Sequence, residues 1–313
     1  MKKAPSVTET NNLFTNSDPE EVWLKSSDII KLINPAYDFT IAQTSFNDVV
    51  RLFLGEYPGY CAIKTLYHNL HHTMDVFLCA VRLMHGVHIS GTLLSDKEMT
   101  MVMMAALMHD IGYAQRIGEE SGTGAQFTVT HVGRGIRFMQ NYTVEQGFPT
   151  DLAGPLSFII RCTDPAESVP DIDFPDERTH LLGQLVSSAD LTGQMADRTY
   201  LEKLLFLYLE FDEAHFGNYQ SIHDMLSSTR AFYEKIRMKL DTDLGGIYTK
   251  LALHFKDRYG VEKNHYLESI EKNIAYLAEV TKLSEEKHLA MLKRGGIVEK
   301  SEVLLAQRNH HSE

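Results

Sequence analysis

Cysteine and excess basic charge are both scarce in this sequence. The three cysteines, Cys61, Cys79 and Cys162, are widely spaced and form no CxxC pair, which is typical of reduced thiols in an intracellular protein. The formal net charge is −12 at pH 7. A nucleic-acid-binding surface needs clustered Lys and Arg, so we expect no nucleic-acid partner.

Long apolar segments are also missing. The longest strongly apolar run covers residues 99–108, far short of the roughly 20 residues that span a bilayer. The N-terminal stretch MKKAPSVTETNN turns polar after its lysines and so lacks the apolar region of a signal peptide. We therefore expect a cytoplasmic protein with no membrane partner.

No Pro/Gly/Ser-rich linker divides the chain, and alternating polar and apolar residues that would predict a strand are almost absent. A chain of 313 residues has room for two domains of about 150 residues each. Without a linker, we expect one all-α domain over residues 21–293. A loose N-terminal tail, residues 1–20, and a polar C-terminal tail, residues 294–313, flank it.

Apolar residues at helical spacing predict the helices of this domain. Ser95 and Glu98 form a capping-box pattern before the apolar segment, and a helix apolar almost all round belongs in the centre of a bundle. Two or three short helices are expected between Trp23 and Leu54. The later predicted helices cover residues 63–84, 98–110, 130–142, 152–162, 177–192, 197–212 and 221–240, with two more in 246–293.

Polar residues interrupt three of these apolar helices. Residues 67–76 read YHNLHHTMDV, which on a helix places His68, His72 and Asp75 on one face. The doublet His109-Asp110 ends the apolar helix at 98–110, and Asp190 lies in another apolar helix.

Buried polar groups are costly without a partner, and histidine nitrogens with carboxylate oxygens are the ligands of a hard or borderline divalent metal. Taken singly, each of these residues could be a structural polar group. As an ordered set in apolar helices, they predict a metal site formed by His72, His109, Asp110 and Asp190.

This order of residues resembles the HD superfamily of metal-dependent phosphohydrolases, which is named after the doublet. YHNLHHTMDV resembles the Tyr-His-Asn-x-x-His-x-x-Asp-Val signature of class I 3′,5′-cyclic-nucleotide phosphodiesterases, and SSADLT resembles their Ala-Asp-Leu-Ser segment. The resemblance covers roughly residues 60–240. It implies an HD-domain, phosphodiesterase-like helical bundle.

The resemblance also implies roles for individual residues. Asp110 would contact two divalent ions, with Zn, Fe or Mn at the tight site and Mg or Mn at the second. His68 would protonate the departing 3′ oxygen, a role that suits an imidazole with a pKa near 6.5; alternatively, it orients a ligand.

Further candidates follow the same motifs. Asn69 would position a ligand or substrate, and Asp75 would support the site or join a second metal. His131 would bind or support the second metal, or simply begin a surface helix. Gln220 is the nearest local match to the glutamine that holds the purine in the phosphodiesterases, although it comes early in the chain; it could equally be a surface glutamine.

One position departs from the family. The phosphodiesterases continue their doublet as His-Asp-x-x-His, whereas this chain has Tyr113 in place of the second histidine. We therefore expect one tightly bound metal and a weaker second one.

The function implied is hydrolysis of a small-molecule phosphate ester, most directly the opening of a 3′,5′-cyclic nucleotide to its 5′-monophosphate. The alternatives are an HD-domain phosphomonoesterase acting on nucleotide monophosphates, an HD-type di-iron oxygenase and a catalytically silent regulatory module. The choice between cAMP and cGMP stays open at this point.

Overall fold

The structure, a computed structural model, describes residues 18–310, except for the side chains of residues 302 and 305–310. Within these residues it consists of α-helices, short 3-10 turns and connecting loops, with one isolated antiparallel bridge between Tyr60 and Arg116 and no strand. The prediction of an all-α bundle is confirmed. Residues 1–17 of the expected N-terminal tail lie outside the described part, and the first helix begins at Pro19.

The described residues contain thirteen α-helices. They are α1 (Pro19–Ile33), α2 (Thr40–Leu54), α3 (Leu70–Ile89), α4 (Asp96–Met108), α5 (His131–Glu145), α6 (Ala153–Arg161), α7 (Glu177–Ala196), α8 (Tyr200–Glu213), α9 (Ile222–Asp241), α10 (Leu251–Tyr259), α11 (His265–Val280), α12 (Glu285–Met291) and α13 (Ile297–His310).

Helix α3 is the central helix of the bundle. It packs against α1, α4, α7 and α10, and it is buried on all sides along most of its length. It begins at Leu70 because the Asn69 side chain accepts the backbone N–H of His72 and caps the helix. The predicted start near residue 63 is therefore wrong, and His68 lies before the helix and not on one of its faces.

Helix α4 crosses the core beside α3. Its capping box is present as predicted, with Ser95 and Glu98 bonding each other's backbone N–H groups. All residues from Met99 to Met108 are buried. The helix ends at Met108, so the His109-Asp110 doublet lies just beyond the last helical turn.

The C-terminal third differs from the prediction in two places. Residues 246–293 form three α-helices, α10, α11 and α12, where two were expected. The expected polar tail also contains helix α13, which packs against α8 and buries Ile297 and Val298. The prediction missed α13 because the segment is largely polar, and its few apolar residues are buried only by contact with distant parts of the chain.

One hydrophobic core extends from Val22 in α1 to Val298 in α13. A 3-10 turn at Ile111–Tyr113 packs closely against α5. Gly112 permits this approach, since a Cβ at this position would lie 1.8 Å from the carbonyl oxygen of His131. Among residues 18–310, no helix combines the length and apolar composition needed to cross a membrane.

Candidate metal centre

His72 lies in the first turn of α3. Its backbone N–H donates to the Asn69 side-chain oxygen at 3.1 Å, and the Asn69 amide nitrogen donates to the carbonyl of Leu66. Both polar ends of Asn69 are thus used in fixing the start of the helix. Asn69 does not line the cavity described below, and the structure places it as the cap of helix α3.

The doublet is held at the end of α4. The His109 Nδ1 lies 3.0 Å from the carbonyl oxygen of Ala106, an acceptor, so Nδ1 carries the proton and donates it. The Nε2 atom is then left as a lone-pair donor to a metal. Asp110 follows immediately and is buried.

The four predicted ligands converge. The Nε2 atoms of His72 and His109 lie 3.2 Å apart, and each lies 3.2 Å from Oδ2 of Asp110. Oδ1 of Asp190, on helix α7, lies 3.4 Å from His72 Nε2 and 3.7 Å from His109 Nε2. Ligand atoms about 2.0–2.2 Å from a common metal ion are separated by about 3.0–3.6 Å. The spacing of His72, His109 and Asp110 fits one ion, and Asp190 lies at the edge of this range.

The polarity of the group supports the same interpretation. Asp110 Oδ2 is buried and makes no hydrogen bond, which is costly unless a cation satisfies it. Burial lowers the pKa of His72, but Asp110 and Asp190 outweigh it and raise the pKa to about 9. The carboxylates therefore draw positive charge to this point. His72, His109 and Asp110 form a buried group that can hold a metal ion.

His131 faces the other oxygen of Asp110. Its Nε2 lies 3.5 Å from Asp110 Oδ1, and its Nδ1 lies 2.6 Å from the carbonyl of Thr128, to which it donates. Burial lowers the pKa of His131, although the charge of Asp110 opposes this shift. A neutral imidazole with its lone pair toward Asp110 is the form that can bind a metal.

His68 is paired with a carboxylate that the sequence-based prediction did not include. Its Nδ1 lies 2.6 Å from Oε2 of Glu210 in helix α8, whose Oε1 accepts the backbone N–H of Tyr67 at 2.6 Å. Burial lowers the pKa of His68, but the charges of Glu210 and Asp110 outweigh it and leave the pKa raised. The pair favours a protonated imidazole.

Tyr113 lies between two histidines. Its ring stacks on His68 with centroids 4.8 Å apart and on His131 with centroids 4.6 Å apart, at 16° between the planes in both cases. Its side chain is 1% exposed, and burial raises the pKa of its phenol well above the usual value. The ring thus restricts the orientation of both imidazoles.

A second residue missed in the sequence orients Asp190. Gln194, one turn later on α7, lies with its amide nitrogen 3.2 Å from Asp190 Oδ1 and accepts the hydroxyl of Tyr67 at 2.7 Å. The spacing of four residues from Asp190 was the only available signal. Glu210 offered none, because it lies 142 residues from His68 in the chain.

These groups form one wall of a cavity of about 580 Å³. The polar wall contains His68, His72, Asp110, His131 and Asp190. Apolar and aromatic side chains dominate the rest, namely Leu191, Leu207, Phe211, Phe216, Tyr219 and Phe232. The size lies within the usual range for small-molecule sites, about 300–1,000 Å³.

Two further candidates lie elsewhere. Gln220 is exposed, its amide nitrogen donates to the carbonyl of Asn218, and it does not line the cavity. Asp75 lies beside His71, with 3.5 Å between Asp75 Oδ2 and His71 Nδ1, in a separate group with Asp197. The structure therefore does not bring either residue to the centre.

An all-α bundle with a buried His/Asp group able to hold a metal defines the general class of the protein. A model of the Npun_R2479-like family matches residues 59–144 and 117–244. Together these matches span more than half of the 313 residues, so the chain belongs to the Npun_R2479-like family. The matched region includes all four converging residues, together with His68, His131 and Glu210. No curated protein matches the chain.

Proposed function

We propose that the protein is a metal-dependent phosphohydrolase that opens a 3′,5′-cyclic nucleotide to its 5′-monophosphate. One observation carries the proposal. The buried Asp110 Oδ2, which makes no hydrogen bond, lies 3.2 Å from each of two imidazole nitrogens, and Asp110 lines the same cavity as the carboxylate-paired His68.

The proposal assigns residues to two divalent ions. His72, His109, Asp110 and Asp190 would hold the tight one, and Asp110 with His131 would contribute to a second. A divalent metal bound here supplies positive charge to the phosphoryl oxygens and makes a bound water more acidic. Among the described residues that line the cavity there is no Lys or Arg, so a phosphate would depend on metal for this charge.

His68 donates a proton to the leaving group in the proposed reaction. Hydrolysis joins a water oxygen to phosphorus and breaks the bond between phosphorus and the 3′ oxygen, which must then take up a proton. Glu210 accepts a hydrogen bond from His68 Nδ1 and stabilises the positively charged imidazole. The proton on Nε2 is then the one that His68 can donate to the departing oxygen. Tyr113, stacked on the ring, limits its rotation.

Metal analysis and a substrate panel test the proposal together. We expect at least one divalent ion per chain and faster turnover of a cyclic nucleotide than of any nucleotide monophosphate. Asp110→Asn should lose metal and activity together, whereas Glu213→Gln, which removes a carboxylate bound to Thr123 outside this group, should retain both. Full metal content in Asp110→Asn would contradict the ligand assignment.

The same panel distinguishes the alternatives. Preferred turnover of a nucleotide monophosphate would indicate a phosphomonoesterase. Iron-dependent visible absorption with oxygen uptake would indicate a di-iron oxygenase. A folded, metal-loaded protein that hydrolyses no phosphate ester would be a silent module.

Replacing the acid tests the role of His68. His68→Ala should slow a cyclic nucleotide by about 10²- to 10⁴-fold, the usual contribution of general acid catalysis. It should affect bis(p-nitrophenyl) phosphate much less, because p-nitrophenolate leaves with little need of a proton. Equal losses on both diesters would reassign His68 to metal support or structure.

A further inference from the structure

One face of helix α9 lies against the cavity. Asp224, Ser228 and Phe232 follow one another at intervals of four residues and all line it, as neighbours on one helical face do. Asp224 is the one acidic residue that this helix contributes to the cavity lining among the described residues. It is separate in sequence from Asp110 and Asp190, which face the metal group.

The Asp224 carboxylate has acceptor capacity to spare. Oδ2 accepts the backbone N–H of Gln220 at 3.2 Å, and the Asp224 backbone N–H donates to the hydroxyl of Ser221. These bonds begin helix α9 and fix the position of the side chain. An ionised carboxylate has about four acceptor sites, so one backbone bond leaves room for more donors.

The surroundings of Asp224 favour donors from a bound molecule. No Lys or Arg of the described residues lines the cavity, so neither of these residue types pairs with this carboxylate from the lining. Aromatic rings line the same space, and Phe211 and Tyr219 stack at 6.1 Å with 17° between their planes. Apolar walls of this kind suit a flat heterocycle, whose edge can then meet the carboxylate.

We infer that Asp224 selects guanine over adenine in the cyclic nucleotide. Guanine presents two adjacent donors, the ring N1–H and the exocyclic amino group, which match the two oxygens of a carboxylate. Adenine presents one donor beside the N1 lone pair, which would face a carboxylate oxygen and be repelled. The inference rests on the proposed function and deepens it, because it names the substrate class of the same cavity.

Gln220, the purine-binding candidate from the sequence, differs from Asp224 in its position, because only Asp224 lines the cavity. An amide can rotate to fit either purine, because it has a donor and an acceptor, but the side chain of Gln220 is exposed and bonded to Asn218. The residue four positions later lines the cavity and is acceptor-only when ionised. Selectivity here therefore requires donors on the ligand.

The wild-type order of substrates gives the first test. We expect kcat/KM to fall from cGMP to cIMP, which lacks the exocyclic amino group, and to fall again for cAMP. Each lost hydrogen bond to a charged acceptor should cost about tenfold or more. Equal kcat/KM for cGMP and cAMP would overturn the inference, and so would a preference for cAMP.

The substitution Asp224→Asn gives the second test. Asparagine keeps an oxygen for the Gln220 N–H and adds a donor that matches adenine, so the cGMP-to-cAMP ratio should fall by about tenfold or more. The ratio is the readout, because a general loss of activity would lower the two rates alike and leave their ratio unchanged. Asp241→Asn is the matched control, since Asp241 ends the same helix and accepts the Tyr248 hydroxyl outside the cavity. An unchanged ratio in Asp224→Asn would contradict the inference.

Failure of the inference and failure of the proposed function are distinguishable. Equilibrium binding of guanosine and adenosine 5′-monophosphates to the full chain measures the same selectivity without turnover. A protein that hydrolyses no cyclic nucleotide but binds the guanosine compound about tenfold more tightly contradicts only the proposed function. A protein that hydrolyses cyclic nucleotides without discrimination, or binds both monophosphates equally, contradicts only the role of Asp224.

Discussion

The replacement Glu210→Gln tests the site most directly, because it changes one atom that contacts His68. The new amide keeps an oxygen for the Tyr67 backbone N–H, now 2.6 Å from Oε1. The NH₂ group then replaces Oε2, which lies 2.6 Å from His68 Nδ1. A donor in this position requires Nδ1 to accept, so the single ring proton moves to Nε2 and the imidazole becomes neutral.

The size of the effect follows from the burial and charge of the pair. Glu210 is 2% exposed, so solvent screens its charge little. A hydrogen bond to a charged group stabilises by about 1.5–3 kcal/mol and a neutral one by about 0.5–1.5 kcal/mol. Because about 1.4 kcal/mol corresponds to a tenfold change in an equilibrium constant, replacing the charged bond should weaken the protonated form of His68 roughly tenfold. Loss of the acid form adds to this, within the 10²–10⁴-fold range of general acid catalysis. We expect kcat/KM for a cyclic nucleotide to fall about 10²-fold or more.

Two substrates and one control make the assay decisive. Bis(p-nitrophenyl) phosphate should lose less than about fivefold, because its leaving group needs little protonation. Glu213→Gln, on the same helix one turn later and bonded to Thr123, should change neither rate. If Glu210→Gln slows both diesters equally at unchanged thermal stability, the proton-transfer role of the pair is refuted.

Three further predictions concern other parts of the molecule. Tyr113→His should lower the added Mn²⁺ or Mg²⁺ concentration that gives half-maximal activity, and His131→Ala should raise it; two tight sites that neither change perturbs would contradict both. Gly112→Ala should reduce the free energy of unfolding by about 1–3 kcal/mol or more, because the new Cβ would lie 1.8 Å from a carbonyl oxygen. Gly133→Ala should not reduce it, because its Cβ would meet only a flexible side chain at 3.8 Å. Denaturant unfolding measures both variants. Burial and nearby positive charge lower the pKa of His254 well below its usual value, so below about pH 6.5 the unfolded state binds a proton that the folded state does not. The free energy of unfolding should therefore be highest above about pH 6.5 and fall by up to about 1.4 kcal/mol per pH unit below it. Unfolding measured from pH 7 to 5 should show a shallower fall in His254→Gln.

The fold was predictable where local chemistry decides it. Ser95 and Glu98 predict the start of α4, and the apolar residues after them predict its burial, because both signals lie within a few positions of the helix. Periodicity alone places the start of α3 near residue 63, whereas the Asn69 side chain caps the helix at Leu70. The C-terminal helix α13 depends on contact with α8, which no local pattern contains.

Some residues of the candidate centre could be predicted from local sequence, and others could not. His72, His109, Asp110 and Asp190 stand out in the sequence because each is a polar residue within or directly after an apolar segment, and the structure brings them together. Glu210 lies in a helix that reads as ordinary amphipathic sequence, and its role appears only when α8 packs beside the segment before α3. The assignment of Gln220 relied on local similarity, which does not indicate which side of a helix start faces the cavity.

Tyr113 departs from the sequence pattern and also contacts two histidines of the site. In the sequence, Tyr113 stands at the position where the phosphodiesterases that the motif resembles have a histidine. In the structure the same ring stacks on His68 and on His131 at nearly the same distance and angle. A phenol presents an apolar face to both imidazoles and needs one hydrogen bond, whereas a buried imidazole would bring two polar nitrogens that need partners. Under the proposed function, Tyr113 would therefore restrain both the proposed acid, His68, and His131 beside Asp110, so metal affinity and proton transfer would depend on one side chain.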